Sequence, residues 1–241
     1  MIDFDNSNDW SANWRAFDRF VREWLKTTFT RDPQSSEIDT LERCAGIALP
    51  PSAREWCAFA LACRNLDHFS WRDCLVVEPV RGHDAVSLLI QGEADYYWAI
   101  ETENLSLPDP PVIGYGMDYD TNETAFAKDG MWAPTVTTFA FDYFLSYLHS
   151  PGGGFSVRQS SKQFDQSRLL AEFGEPVCFG HLKLFHSDGV LIVMGGLPPS
   201  WRHEVISVEI QTIRPFTRLP RLVQSLAKDA YVTHGGLHEY R

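Results

Sequence analysis

The residues of this chain best suited to chemistry are carboxylates. Nine acids (Glu93, Asp95, Glu101, Glu103, Asp109, Asp118, Asp120, Glu123 and Asp129) and one base (Lys128) lie between Gln91 and Gly130. This stretch carries −8 of the chain's formal −11. Clustered carboxylates have three common uses. The first is calcium binding, because Asp118, Asp120, Asn122 and Asp129 stand at offsets an EF-hand loop uses for side-chain oxygens. Against it, Glu123 occupies the turn position that needs Gly, and a strand-like segment leads in, so an acidic surface loop is the better reading. The second is a hydrolase built from Asp118, Asp120 and a distant His, which requires convergence in space that a sequence does not display. The third is purely electrostatic: an acidic face that attracts and orients a basic partner.

Other motifs that resemble sites read as connections. His186, Ser187 and Asp188 are adjacent, whereas a catalytic triad converges from separate elements, so "HSDG" reads as a hairpin turn. His234 and His238 are four apart, but Gly235 and Gly236 disfavour the helix that would bring them together, and no third zinc ligand is evident. "PGGGF" lacks the Lys-Ser/Thr of a phosphate loop and reads as a linker. The expectation is a protein that is not an enzyme and holds neither metal nor cofactor.

Composition bounds the remaining classes. The 241 residues are 44% hydrophobic and 13% aromatic, enough to build a large core and inconsistent with a disordered chain. The five cysteines (Cys44, Cys57, Cys63, Cys74, Cys178) are odd in number and form no C-x-x-C, which suits reduced core residues. The start "MIDFDNSNDW" lacks the basic and apolar regions of a signal peptide, and no apolar run approaches a membrane span. A cytoplasmic location without membrane partners is therefore expected. A pI near 5 lacks the basic footprint that nucleic acid requires.

Several elements can be read from the periodicity. Trp10, Trp14, Phe17, Val21 and Trp24 form one helical stripe, predicting a helix from about Asp9 to Thr28. "SSEIDTLERCAG" predicts a short helix with Ser36 and Asp39 in an imperfect capping box and Gly46 as its stop. After Pro50 and Pro51, Ser52 is expected to cap a third helix bearing Trp56, Phe59, Ala60 and Cys63. The runs "CLVVEPV", "AVSLLIQ", "YYWAI" and "VIGYGM" then read as four strands, with short Gly/Asp/Pro links that imply antiparallel pairing. Phe141, Phe144, Leu145 and Leu148 line a further helix. "SPGGG" is a joint. Beyond it come a helix "KQFDQSRLLAEFG", the strands "CFGHLKLF", "GVLIVMG" and "HEVISVEIQT", and a helix "LPRLVQSLAKDA". Residues 155–241 hold ten Lys/Arg and eight Asp/Glu, so the acidity belongs to the first half.

This order of elements resembles the SUKH superfamily, the Smi/Knr type, over roughly residues 35–150. The resemblance rests on Gly46, Leu49, Pro50 and Trp56 at the second and third helices, on Asp109, Pro110 and Val112 late in the sheet, and on Phe141, Phe144 and Leu145. The aromatic-Asn-Gly stretch usual after the second helix of that family is replaced by "ACRNLDHFSW". The resemblance implies an α+β fold with helices on one face of an antiparallel or mixed sheet. The N-terminal aromatic helix and the residues after Gly154 fall outside the resemblance; the latter read as a C-terminal α/β extension, a helix plus β-meander. The units would be an aromatic helix at 1–30, a SUKH-like domain at 31–150 and an extension at 151–241 packed on it. It also implies a non-enzymatic protein, of the kind that neutralises a secreted toxin domain by binding it, or a regulatory or scaffolding module. In the first case the partner is a basic protein toxin domain, such as a nuclease. The expected binding residues are Glu93, Asp95, Tyr97, Glu101, Glu103, Asp109, Asp118, Asp120 and Glu123, with Tyr97, Ala99 and Glu101 on one open strand face and Tyr96, Trp98 and Ile100 in the core. A homodimer through the C-terminal half is a further expectation.

Overall fold

The structure, a computed structural model, describes residues 9–25, 30–64, 75–90, 95–117, 126–147, 154–160, 166–179, 182–187, 189–194, 205–212, 218 and 220–227. The fold is α+β: helices pack with two sheets, both wholly antiparallel. The C-terminal extension is a helix-and-strand unit whose sheet is wholly antiparallel.

Three helices open the chain: α1 (Trp10–Leu25), α2 (Ser36–Ala45) and α3 (Pro51–Cys63). Helix α1 presents Trp14, Phe17 and Val21 to the core, as its stripe predicts. The cap of α2 is Ser35, one residue before the expected Ser36; its side chain accepts from the Ile38 amide. Gly46 ends α2 at φ +69°, a conformation that costs a side-chain-bearing residue free energy. Helix α3 is not capped by Ser52. Pro50 precedes it and Pro51 is its first residue, where a missing amide proton is harmless.

The first sheet is a meander in the order β1-β2-β3-β4: β1 (Ala85–Ile90), β2 (Tyr96–Glu101), β3 (Val112–Met117) and β4 (Phe126–Ala133). Two strand expectations fail here. "CLVVEPV" forms no regular strand in its described part; it meets β1 only through a Pro79–Val86 bridge and hydrogen bonds to Ser87 and Ala85. Proline at 79 cannot donate to a ladder. The sheet's fourth strand is instead β4, whose sequence FAKDGMWA alternates poorly because the strand is bulged.

Helix α4 (Val136–Tyr147) follows β4 and is buried on every side along Val136–Leu145. It was expected to bury one face. Its second face, with Thr137, Thr138 and Asp142, is buried too. Phe141 and Phe144 pack against α1 and α3: Phe17 stacks on Phe141 with centroids 4.0 Å apart, and Phe59 meets Phe144 edge-on at 5.3 Å. On the sheet side, Phe139 and Tyr143 meet Trp98 at 6.2 and 6.1 Å. Burying each such ring stabilises the fold by roughly 1.5–3 kcal/mol.

The second sheet has the order β5-β9-β8-β7-β6: β5 (Gly154–Ser160), β6 (Val177–Phe179), β7 (Leu182–Ser187), β8 (Val190–Met194) and β9 (Val205–Thr212), with α5 (Ser167–Phe173) and α6 (Arg221–Ala227). Strand β5 begins at the Gly154 end of the presumed linker and was not foreseen. "CFGHLKLF" is two strands, β6 and β7, rather than one. Leu184, Leu191 and Val193 of this sheet belong to the same buried cluster as Trp14, Trp56 and Phe141.

Candidate functional site

Strand pairing sorts the acids of the first sheet into two ends. Ala85 pairs with Glu101 and Val112 with Ala133, so the start of β1, the end of β2 and the start of β3 share one end. Asp84, Glu101, Glu103 and Asp109 belong there. Ile90 pairs with Tyr97, Tyr96 with Gly116, and Met117 with Phe126, so Asp95, Tyr96 and Tyr97 lie at the other. Both chain segments that join β1 to β2 and β3 to β4 depart from that second end. They contain Glu93 and Asp118, Asp120 and Glu123, which lie outside the described residues.

At the first end two of the four acids, Glu101 and Asp109, are engaged, and Asp84 and Glu103 are exposed. Asp109, expected on the binding surface, is half-buried and part of the framework. Its Oδ1 accepts the Thr137 amide at 3.0 Å. Thr135 Oγ1 accepts the Thr138 amide at 3.1 Å, and Pro110 O the Val136 amide at 2.8 Å. Together these satisfy the three amides of the first turn of α4, which lack partners within the helix. The Ser52 amide donates to Pro108 O, so the same loop also holds the start of α3. Burial raises the Asp109 pKa above the usual aspartate range, and the Thr137 amide that donates to the carboxylate holds part of the rise back. Glu101 reaches over β3 to pair with Lys128 at 2.5 Å. Glu103 is exposed on a single 3-10 turn, Thr102–Asn104.

The strand face of Tyr97, Ala99 and Glu101 is not the open aromatic-acidic face the alternation suggested. Val80, Ala85, Ala99, Ile113 and Tyr115 form a second small core there, with Tyr97 and Phe126 packed on it. The 81–84 turn folds over this face. His83 rests on Tyr115 at 4.7 Å, and its Nε2 stands 2.6 Å from the Phe126 carbonyl oxygen. Ser87 Oγ donates to Val76 O at 2.8 Å and holds the preceding segment along β1. Burial, with the Glu101 charge adding to it, pushes the Tyr115 hydroxyl up to about 12. Tyr97 is likewise raised, chiefly by burial.

At the second end the sheet carries an arrangement that the sequence did not reveal. Between the Gly114–Gly130 and Tyr115–Lys128 pairs, β4 has one extra residue, Asp129. Gly130 follows at φ +130°. Such a bulge re-aims a side chain. Here it turns Asp129 to the helix-side face, where Oδ2 accepts the Tyr96 hydroxyl at 2.7 Å. The Tyr96 ring lies across two glycines of β3. A Cβ at Gly114 would stand 2.0 Å from its hydroxyl oxygen. Trp98 and Trp132 close in on the ring at 5.1 and 5.7 Å and meet each other edge-on at 5.4 Å. Asp129, the last of the four candidate calcium ligands, therefore lies on a strand with a tyrosine on its carboxylate; Asp118, Asp120 and Asn122 lie outside the described residues. Among the described residues no group of three or more His, Cys, Asp or Glu is gathered as for a metal.

Of the cysteines expected in the core, Cys57 and Cys63 are buried, whereas Cys44 and Cys178 are exposed and Cys74 lies outside the described residues. Burial pushes the Cys57 thiol up to about 12 and raises Cys63 as well, so both stay protonated and unreactive. His186 and Ser187 lie on β7, and burial lowers the His186 pKa; Asp188, His234 and His238 lie outside the described residues. No helix among the described residues is long and apolar enough to cross a membrane. The chain matches no protein-family model, no curated protein and no solved structure.

Proposed function

We propose that the protein is a non-enzymatic binding protein that neutralises a basic protein toxin domain by occluding it, in keeping with the resemblance to SUKH immunity proteins. The observation that supports this is the distribution of charge compensation. The helical layer is balanced in charge: residues 9–64 hold eight acids and eight bases, and Arg31 pairs with Asp18 and Glu55, Arg54 with Asp39 and Glu42. The first sheet and its connections, residues 75–135, hold eleven acids and only Arg81 and Lys128 as bases. Both acidic connections leave one end of that sheet. A concentrated negative field of this kind speeds capture of a basic domain and selects against acidic competitors. A toxin that grips phosphates must itself be basic.

The test uses the tagged full chain as bait in a lysate of its native cell, at low and high salt. The expected capture is a basic domain that is retained at low salt, weakened by salt, and lost from a Glu93→Lys, Asp118→Lys, Asp120→Lys variant. Co-expression of that domain should stop growth, and the chain should restore it. Salt-insensitive capture of non-basic regulatory proteins, unchanged by the charge reversals, would replace this reading with the regulatory module.

A further inference from the structure

We propose that Tyr96 and Asp129, backed by Trp98 and Trp132, form a recognition site for one cationic side chain of a protein partner, best matched by the guanidinium of arginine. Three observations converge on this. The first is the carboxylate itself. Counted back from Trp132, strict alternation along β4 would place Gly130 and Lys128 on the helix-side face, and the bulge with Gly130 at φ +130° delivers Asp129 there instead. Among the described residues, Asp129 has Tyr96 as its one hydrogen-bond partner and no cation beside it.

The second is the room made for Tyr96. Gly114 and Gly116 lie beneath its ring on a central strand, where each glycine costs about 0.5–1 kcal/mol in strand stability. Glycines so placed mark a close approach. They let a tyrosine lie flat over the sheet, with its hydroxyl fixed on the carboxylate. The third is the wall. Trp98 and Trp132 stand at 55° and 66° to Tyr96 and nearly perpendicular to each other. Aromatic faces attract cations through their quadrupoles, and a guanidinium can stack on a ring while donating to a carboxylate. Tyr96 and Asp129 are only half-buried, so an arginine has access to both. The acidic β1–β2 and β3–β4 connections depart from the same end of the sheet and add a long-range pull on positive charge.

The arginine's source rests on the binding reading above; the cation site itself does not. The experiment titrates the full chain with N-acetylarginine amide, using N-acetylglutamine amide as an uncharged control. The indole N–H resonances of Trp98 and Trp132 are followed by NMR. A saturable shift is expected with the arginine probe alone, weakened at least about tenfold in Asp129→Asn. Asparagine still accepts the Tyr96 hydroxyl, so a carboxylate that merely pins the bulge would leave the titration unchanged. Equal shifts from the uncharged probe, equal binding by the variant, or no saturation in the wild-type chain would each overturn the proposal. Should the variant unfold, the comparison of the two probes on the wild-type chain decides. A positive titration with no toxin captured would keep the site and discard the toxin reading. Capture of a toxin with a flat titration would do the reverse.

Discussion

At the scale of single residues, Asp109 has a double character. It looks like one more acid of the surface, yet its carboxylate caps α4. Burial raises its pKa, so the folded chain holds a proton there at a pH where the unfolded chain has released it. The stability linked to that proton is full below the unfolded pKa and is lost as pH rises through the folded one. Asp109→Asn keeps an oxygen for the Thr137 amide and sheds the buried charge. Its stability should therefore stay within about 1 kcal/mol of wild type at neutral pH, and its pH dependence across the acid range should be flatter. Asp109→Ala should lose about 1–2 kcal/mol, the usual cost of a missing cap. Urea denaturation between about pH 4 and 8 checks both. A wild-type stability that rises with pH relative to the asparagine variant would contradict the sign. The sequence suggested none of this, because hydrogen bonds between residues 28 positions apart leave no local pattern. The same holds for Asp129: a bulge is a mismatch between two strands, and FAKDGMWA by itself looks merely irregular.

At the scale of elements, the helical layer was legible because its stripes follow the helical period. Trp14, Phe17, Trp56 and Phe59 are all buried as their spacing requires. What held the connections in place was not legible, because each clamp is assembled from several elements. Arg31, between α1 and α2, has two nitrogens on Asp18 of α1, at 3.0 and 2.5 Å, and a third on Glu55 of α3. Its guanidinium also lies 5.1 Å from the Trp14 ring centroid. Arg54 of α3 ties Asp39 and Glu42 of α2 to the Pro33 carbonyl. The Arg31 clamp is largely shielded from solvent, whereas Asp39 of the Arg54 clamp is more than half exposed. Deleting the cation from a buried pair leaves carboxylates without compensation, which costs about 3–5 kcal/mol. Arg31→Ala should therefore destabilise the chain by about that much, with little dependence on salt. Lys128→Ala, which breaks the half-exposed pair with Glu101, should cost less than about 1 kcal/mol and be sensitive to salt. Equal losses in thermal unfolding for the two variants would show that burial does not set their strength. For strands the period-two pattern placed Trp98 and Ile100 of β2 in the core, and it failed where the other face is covered too, as at Ala99, or where pairing is bulged. Strand β1 is buried at all six positions, whereas the described part of 74–80, equally apolar to the eye, is excluded from the sheet by Pro79.

At the scale of the whole molecule, the Gly-rich stretch before β5 reads as a joint between units, yet the core continues across it. Leu184, Leu191 and Val193 sit in one buried cluster with Trp14, Phe59 and Phe144. Helix α4, buried throughout its described side chains, can exist in water only with cover on all sides. The C-terminal sheet is thus part of the structure that the first 150 residues need. Deleting those three side chains alone removes about 5–9 kcal/mol of burial, before counting the surface they cover on their neighbours. That is comparable with the whole stability of a typical domain, about 5–15 kcal/mol. The full chain should accordingly unfold in a single transition, with near-ultraviolet dichroism and tryptophan fluorescence superimposing. Residues 1–150 expressed alone should lack a cooperative transition and bind hydrophobic dyes. A monomeric fragment that melts cooperatively within a few degrees of the full chain would instead establish the first unit as autonomous. The second sheet would then be free to serve as a surface in its own right, including the homodimer contact its near-neutral charge permits.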